Sequence, residues 1–287
     1  MRRMPRLGAT ARHDLQRPAR IALDAAGYGV GGLLAGLAAV RGAKAVHPHG
    51  VSYRARLVID GAAHAPPASQ LLSTPREYCA LMRFSRSLGL PRAIPDLLGV
   101  SLRVLDAYGP TCHQDVLLVS SIDLPVLHHL FVPTTDVQQR PYSSSLPFRA
   151  GAERFLIGVM PDAHSPRPPG ADEFDRLQRA ADTSRLTFRL AIASLGGRFR
   201  RVGSLHVAER LPDTLDALRF DPFNCGGGLH LTGAINRLRD YAYAMSQAAW
   251  ARNGGAVTQR EADAELQRIP RPPDASTHDT TTPTHSR

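Results

Sequence analysis

Cysteine is scarce: Cys79, Cys112 and Cys225 are the only three in 287 residues. So small, odd and scattered a set excludes a disulfide scaffold and points to reduced thiols in a cytosol. Lysine is scarcer still, Lys44 alone, so the formal charge of +10 comes from arginine. The arginines run along the whole chain, with a small excess at Arg2, Arg3, Arg6, Arg12, Arg17 and Arg20. Aromatic residues make up 6% and do not interleave with basic ones, which argues against a single-strand nucleic-acid groove. Long apolar runs are missing too. Ala25–Val40 is uncharged but short for a span, and it is diluted by Gly27, Gly29, Gly31, Gly32 and Gly36. It follows Asp24 and lacks a small-residue cleavage site, so it reads as an N-terminal helix lying on the domain rather than a signal peptide. Weak peripheral membrane contact is its lesser reading.

What is present suits a globular body. An apolar fraction of 43% and a charged fraction of 21% exclude a fibrous or wholly disordered chain, and the length allows one large domain or two small ones. Val51, Tyr53, Ala55, Leu57 and Ile59 alternate with Ser52, Arg54, Arg56 and Val58, a period of two with one slip. Similar runs fall at Cys79–Ser85, Val100–Asp106, Asp115–Ser121, Phe155–Met160, Leu186–Ser194 and Val202–Ala208, separated by turn residues. About seven strands spaced this way predict an antiparallel sheet or barrel. After Pro222 the period changes: Leu231–Trp250 and Ala262–Ile269 read as helices. The class is α+β. Pro270–Arg287 is rich in Pro, Thr and Ser and reads as a disordered tail.

Few residues offer chemistry on their own. His47, before the first strand, stands where a turn would meet the mouth of a barrel. Arg239 and Tyr243 lie four apart and share a helical face, where a guanidinium favours the phenolate. A tyrosinate is one of the few axial ligands that proteins use for haem. Arg237 and Tyr241 have the same spacing. His128 and His129 are adjacent and diverge, against a shared metal. Gly226, Gly227 and Gly228 read as a flexible turn into the long helix, and Cys225 has no base identifiable beside it. Asp162, Asp172, Glu173 and Asp175 read as a solvated loop opening a helix.

The order of the segments KAVHPHGV, LMRFSRSLG, PDLLGVSLRV, QDVLLVSS, RFDPFN and RDYAYAMSQ resembles the haem-catalase superfamily in its small, single-domain form. RFS and the RxxxYxxxQ pattern are the nearest matches, and the similarity runs from Lys44 to Gln247. It implies a catalase-like β-barrel over 44–269, after an N-terminal basic segment and helix over 1–43 and before the tail at 270–287. It also implies haem b as cofactor. His47 would be the distal acid–base, Ser85 the residue orienting its imidazole, Arg83 the partner of a haem propionate, and Arg239 and Tyr243 the proximal pair with Tyr243 on iron. Lys44 stands where the family has an arginine, and it keeps the charge without the fork. His49 replaces a lysine, Ser121 falls near the distal asparagine, and Ala244 and Met245 replace the proline and acid after the proximal tyrosine.

The resemblance therefore implies a haem protein using hydrogen peroxide or an organic (lipid) hydroperoxide, as a peroxidase, a peroxygenase or a hydroperoxide-rearranging enzyme. The serine at 121 argues against efficient dismutation. The alternative is a catalase-fold binding or regulatory protein without haem chemistry, its cavity adapted to another ligand or ester. A third reading, a basic protein on membranes or nucleic acid, predicts binding that salt abolishes. No specific nucleic-acid partner is expected, the setting is cytoplasmic, and the oligomeric state stays open.

Overall fold

The computed structural model describes residues 49–87, 90–92, 94–232 and 256–270. Ten strands follow in chain order: β1 His49–Ile59, β2 Arg76–Arg86, β3 Leu98–Val104, β4 Gln114–Ser120, β5 Tyr142–Ser143, β6 Phe148–Ala150, β7 Glu153–Pro161, β8 Thr187–Ser194, β9 Arg200–Arg210 and β10 Leu229–Leu231. Every pairing among them is antiparallel. The sheet order β7-β5-β4-β3-β2-β1-β9-β8 is joined end to end by a β7–β8 pairing, so eight strands close a barrel. Strands β6 and β10 extend from β7 outside that ring. Among the described residues three α-helices accompany it: α1 Gln70–Ser73, α2 Glu173–Asp182 and α3 Ala256–Arg268.

Each of the seven runs read from alternation forms a long strand of the ring, within three residues at its ends. The eighth ring strand is β5, two residues long, and it shows no period in sequence. Leu231 ends β10 rather than opening a helix, and 233–255, with most of the expected long helix, lies outside the described residues. The N-terminal helix and the tail lie outside them as well. The glycines after Cys225 are a packed turn, not a flexible one. Gly227 and Gly228 hold φ of +52° and +82°, a Cβ on either would collide with Tyr108 or the Ala68 carbonyl, and the Gln70 amide donates to the Gly227 carbonyl at 2.9 Å. The turn delivers the chain to β10.

Period-two alternation sends one set of side chains inward. Tyr53, Leu57, Ile59, Met82, Phe84, Val100, Leu102, Val116, Leu118, Phe188 and Leu190 are among those that fill the interior, all essentially buried. Phe84 stands edge-on to Tyr53 at 6.1 Å and tilted to Phe188 at 5.5 Å. An eight-stranded barrel is just wide enough to be filled in this way. The Tyr53 hydroxyl donates to Gln178 Oε1 of α2 at 3.0 Å, and burial pushes its phenol pKa up.

A second, smaller cluster lies on the outside. Leu81 and Leu105 meet Leu211, Leu215, Leu218 and Phe220 of the segment after β9, and Ala262, Leu266 and Ile269 of α3. The 3-10 turn Asp213–Ala217 lies within that segment. Among the described residues no helix is long and apolar enough to cross a membrane.

Candidate functional site on the outer face of the barrel

Because Phe84 points inward, its neighbours Arg83 and Ser85 point outward. Register carries this across four strands. Gly50, Ser85, Gly99 and Val119 form one outward row; Ser52, Arg83, Ser101 and Leu117 form the next; Arg54, Leu81, Arg103 and Asp115 form a third. The outer cluster covers the third row. The first row is made of small residues, so the sheet there is a smooth floor.

Arg83 is 8% exposed, and its Nε donates to the Asp216 carbonyl oxygen at 2.9 Å. To reach it, the side chain crosses Gly50, where a Cβ would lie 2.7 Å from the Arg83 Cζ and from the Phe84 carbonyl oxygen. Glycine at 50 therefore lets a buried cation lie flat on the wall. Beside it opens a cleft of about 690 Å³, lined by Gly50, Val51 and Arg83, by Phe174 and Gln178 of α2, and by Arg210 and Asp216. Burial raises the Asp216 carboxyl pKa, while the Ser52 hydroxyl and then Arg210 and Arg83 pull it down.

Ser85 is buried on the same strand face, 1% exposed, opposite Gly50 at the start of β1. Its position fits a residue that meets whatever precedes β1. Ser121, just past β4, is fully buried, and its hydroxyl donates to the His128 carbonyl oxygen at 3.0 Å. That hydroxyl is thus spent on the protein's own backbone. Lys44, His47, Arg239 and Tyr243 lie outside the described residues.

His128 and His129 sit in the 3-10 turn Leu127–His129, which folds against the outside of the barrel. His128 is fully buried, its Nε2–H donates to the Leu195 carbonyl at 3.2 Å, and Phe199 meets its ring edge-on at 5.4 Å. His129 Nδ1 bonds the Ser145 carbonyl at 2.8 Å. The two rings bond different carbonyls but do not diverge as the sequence suggested: their centroids lie 4.9 Å apart, tilted by 48°. Val126, before the turn, is held at φ 68°, a strained conformation for a β-branched residue that costs about 1–3 kcal/mol.

Two buried ion networks were not visible as such in the sequence. Arg103 makes a bidentate pair with Asp115 at 2.7 and 2.6 Å, and the same carboxylate accepts the Asp221 amide at 2.8 Å. Arg103 also donates to the Arg219 carbonyl at 2.8 Å and packs over the Phe220 ring. The RFDPFN turn is thereby fastened to the outer wall. Arg86 bridges Asp96 at 3.3 Å and Glu173 at 2.5 Å, all three nearly inaccessible. Glu173 is therefore not part of a solvated loop, although Asp172 beside it does open α2 by capping the Phe174 and Asp175 amides at 2.9 Å. The signal that could have revealed the first pair is register, since Arg103 and Asp115 face each other directly across β3 and β4.

The three cysteines are free, and burial pushes the Cys225 thiol pKa up, away from reactivity. Among the described residues no group of three or more potential ligands is placed to hold a metal ion.

No family model and no curated protein matches this sequence. Solved structures do match its shape. A fungal catalase superposes over 77% of this chain and 62% of its own, with a TM-score of 0.58 at 13% identity. Catalase A from Saccharomyces cerevisiae superposes over 72% and 60%, with a TM-score of 0.50 at 10% identity. The chain thus spans less than two thirds of those catalases, and it has a catalase-like fold.

Proposed function

We propose that this chain is a catalase-like haem protein that uses a peroxide, either hydrogen peroxide or an organic hydroperoxide. The observation that carries the reading is the outer wall: a buried arginine and a buried serine, Arg83 and Ser85, share one strand face beside a floor of small residues. A planar, propionate-bearing ring fits such a surface, since small side chains admit a flat face and a desolvated guanidinium pairs strongly with a carboxylate. Haem supplies iron-centred redox chemistry on the peroxide O–O bond when bound.

In this reading Arg83, with Lys44, holds the propionate side, and Tyr243, kept anionic by Arg239, holds the metal. His47 moves a proton between the two peroxide oxygens, and Ser85 fixes its ring by a hydrogen bond. The chain on both sides of the Arg239–Tyr243 stretch is anchored. β10 holds Leu231 against Phe148 of β6, and α3 holds Ala262 on the same outer wall that carries Arg83. The Ser121 hydroxyl already donates its hydrogen bond to the His128 carbonyl, so it is a poor substitute for a free amide on the peroxide side. That favours oxidation of a co-substrate, or rearrangement of an organic hydroperoxide, over dismutation. The cell compartment in this reading is the cytosol, in keeping with three free thiols.

The test is a visible spectrum of the full chain expressed with a haem precursor, before and after peroxide. A high-spin ferric spectrum that changes with peroxide is expected, lost or shifted in Tyr243→Phe and retained in Tyr241→Phe. A protein that takes up no haem would replace this reading with a catalase-fold binding protein.

A further inference from the structure

The segment between β4 and β5 is fastened by a small set of bonds, two of which are the His129 Nδ1 bond to the Ser145 carbonyl and the Ser121 amide bond to the Pro141 carbonyl, both at 2.8 Å. Ser121 donates to the His128 carbonyl, His128 Nε2–H donates to Leu195, and Val132 returns to the sheet through its amide bond to Ser120 at 2.8 Å. Between these points the chain exposes Leu124, Val126 and Leu127, and Val126 carries the positive φ. The His128 ring is the only side chain of the turn that is fully inside, and its Nδ1 is buried without a hydrogen-bond partner.

We propose that residues 121–131 form an acid-released flap, in which neutral His128 pins the segment to the barrel and keeps the Ser121 hydroxyl on its own carbonyl. Protonation of the ring frees both. With Nε2–H already donating, an added proton must go to Nδ1, which is buried and makes no well-aligned hydrogen bond, the Leu124 carbonyl offsetting the burial only in part. The groups acting on the ring are His129 and Asp123 on the segment itself and the carbonyls of Leu124 and Leu195; from the barrel side the Phe199 ring adds no charge. Burial, then His129, lowers the His128 pKa, and the two carbonyls and Asp123 only partly oppose this. The sign follows. The open segment takes up a proton near the ordinary histidine pKa of about 6.5, whereas the closed one resists, so closure is complete above that pH and weakens below it. Each pH unit below about 6.5 raises the open fraction by up to tenfold, until the closed-state pKa is reached. The Val126 strain is relieved on opening and works in the same direction. Its consequence for peroxide rests on the reading above: a released Ser121 hydroxyl becomes a donor on the peroxide side.

Hydrogen exchange of the full chain without added haem tests the flap whether or not haem binds. The His128 amide, bonded to Leu124 at 3.1 Å, and the Leu130 amide, bonded to Leu127 at 2.9 Å, report it. From pH 7.5 to 5.5, after correction for intrinsic rates, their protection is expected to fall by at least about fivefold while β3 amides hold. In His128→Phe, which keeps the ring and cannot charge, the pH response should vanish. Equal protection at both pH values, or an undiminished response in His128→Phe, overturns the proposal. Should that variant not fold, the wild-type His128 ring nitrogens followed by NMR decide it. A pKa below 6.5 supports the flap and one at or above 6.5 sinks it.

Discussion

The inside and the outside of β1–β4 are built from the same residues by alternation, and they differ completely in kind. Inside, Tyr53, Phe84, Val100 and Leu102 are essentially buried and pack with Phe188 of β8 into one apolar core. Outside, the same strands present Ser52, Arg83, Ser85, Arg103 and Asp115, polar groups that are nonetheless buried. Buried polar groups require partners, so each must be matched by chain that packs over it or by a ligand. Arg103 and Asp115 are matched by the RFDPFN turn. In the reading proposed above the chemistry lies on this outer wall, while His47 itself lies outside the described residues.

The contrast can be broken from either side. Asp115→Ala should have the largest effect, about 3–5 kcal/mol by urea denaturation, because it leaves the Arg103 cation buried and unpaired and frees the 219–224 turn. Phe84→Ala should cost about 3–4 kcal/mol by opening a cavity between Tyr53 and Phe188. If the interior were a ligand chamber rather than a packed core, the second loss would be recovered by none of the outer-wall ligands and would come nearer to about 1 kcal/mol, the cost at a site already open.

The long strands were legible where one face is apolar and the other is not, as in β1 and β3, while β4 and β7, apolar on both faces, read as short apolar runs bounded by turns. The two-residue β5 and the three-residue β6 and β10 were not, since alternation needs four or more residues to register and tertiary pairing alone forms them. The order of motifs around Arg83 and Ser85 gave the fold class before any geometry did. What it could not give was the sidedness of the site, because whether Arg83 or Phe84 points inward is decided by which row the closed ring encloses. Glu173 was misread for the same reason: a glutamate beside prolines and aspartates resembles a solvated turn until Arg86 is found above it. The spending of the Ser121 hydroxyl on a local carbonyl likewise has no letter-level signal.

A smaller perturbation probes the floor of the wall. Gly50→Ala places a methyl against the Phe84 carbonyl and the Arg83 guanidinium. The backbone cannot yield easily, so a loss of about 1–3 kcal/mol is expected, with weaker haem uptake as Arg83 is displaced. Stability unchanged within about 0.5 kcal/mol would mean that Arg83 does not need to cross Gly50.

The smallest effects separate structure from function most sharply. Ser52 and Ser85 are both 1% exposed serines on the outer face, on neighbouring strands. The Ser52 hydroxyl donates to the Leu215 carbonyl at 3.3 Å and helps to hold the segment after β9. Removing either hydroxyl should cost about 1 kcal/mol, the net worth of one hydrogen bond. Their effects on peroxide should part. Ser85→Ala removes the hydroxyl that would orient the His47 ring, so the rate of the haem-loaded protein with peroxide should fall by about tenfold or more, within what an acid–base group contributes. Ser52→Ala should leave that rate unchanged. Equal rates for the two variants would strip Ser85 of its assigned role and leave it as one more hydroxyl in a well-packed wall.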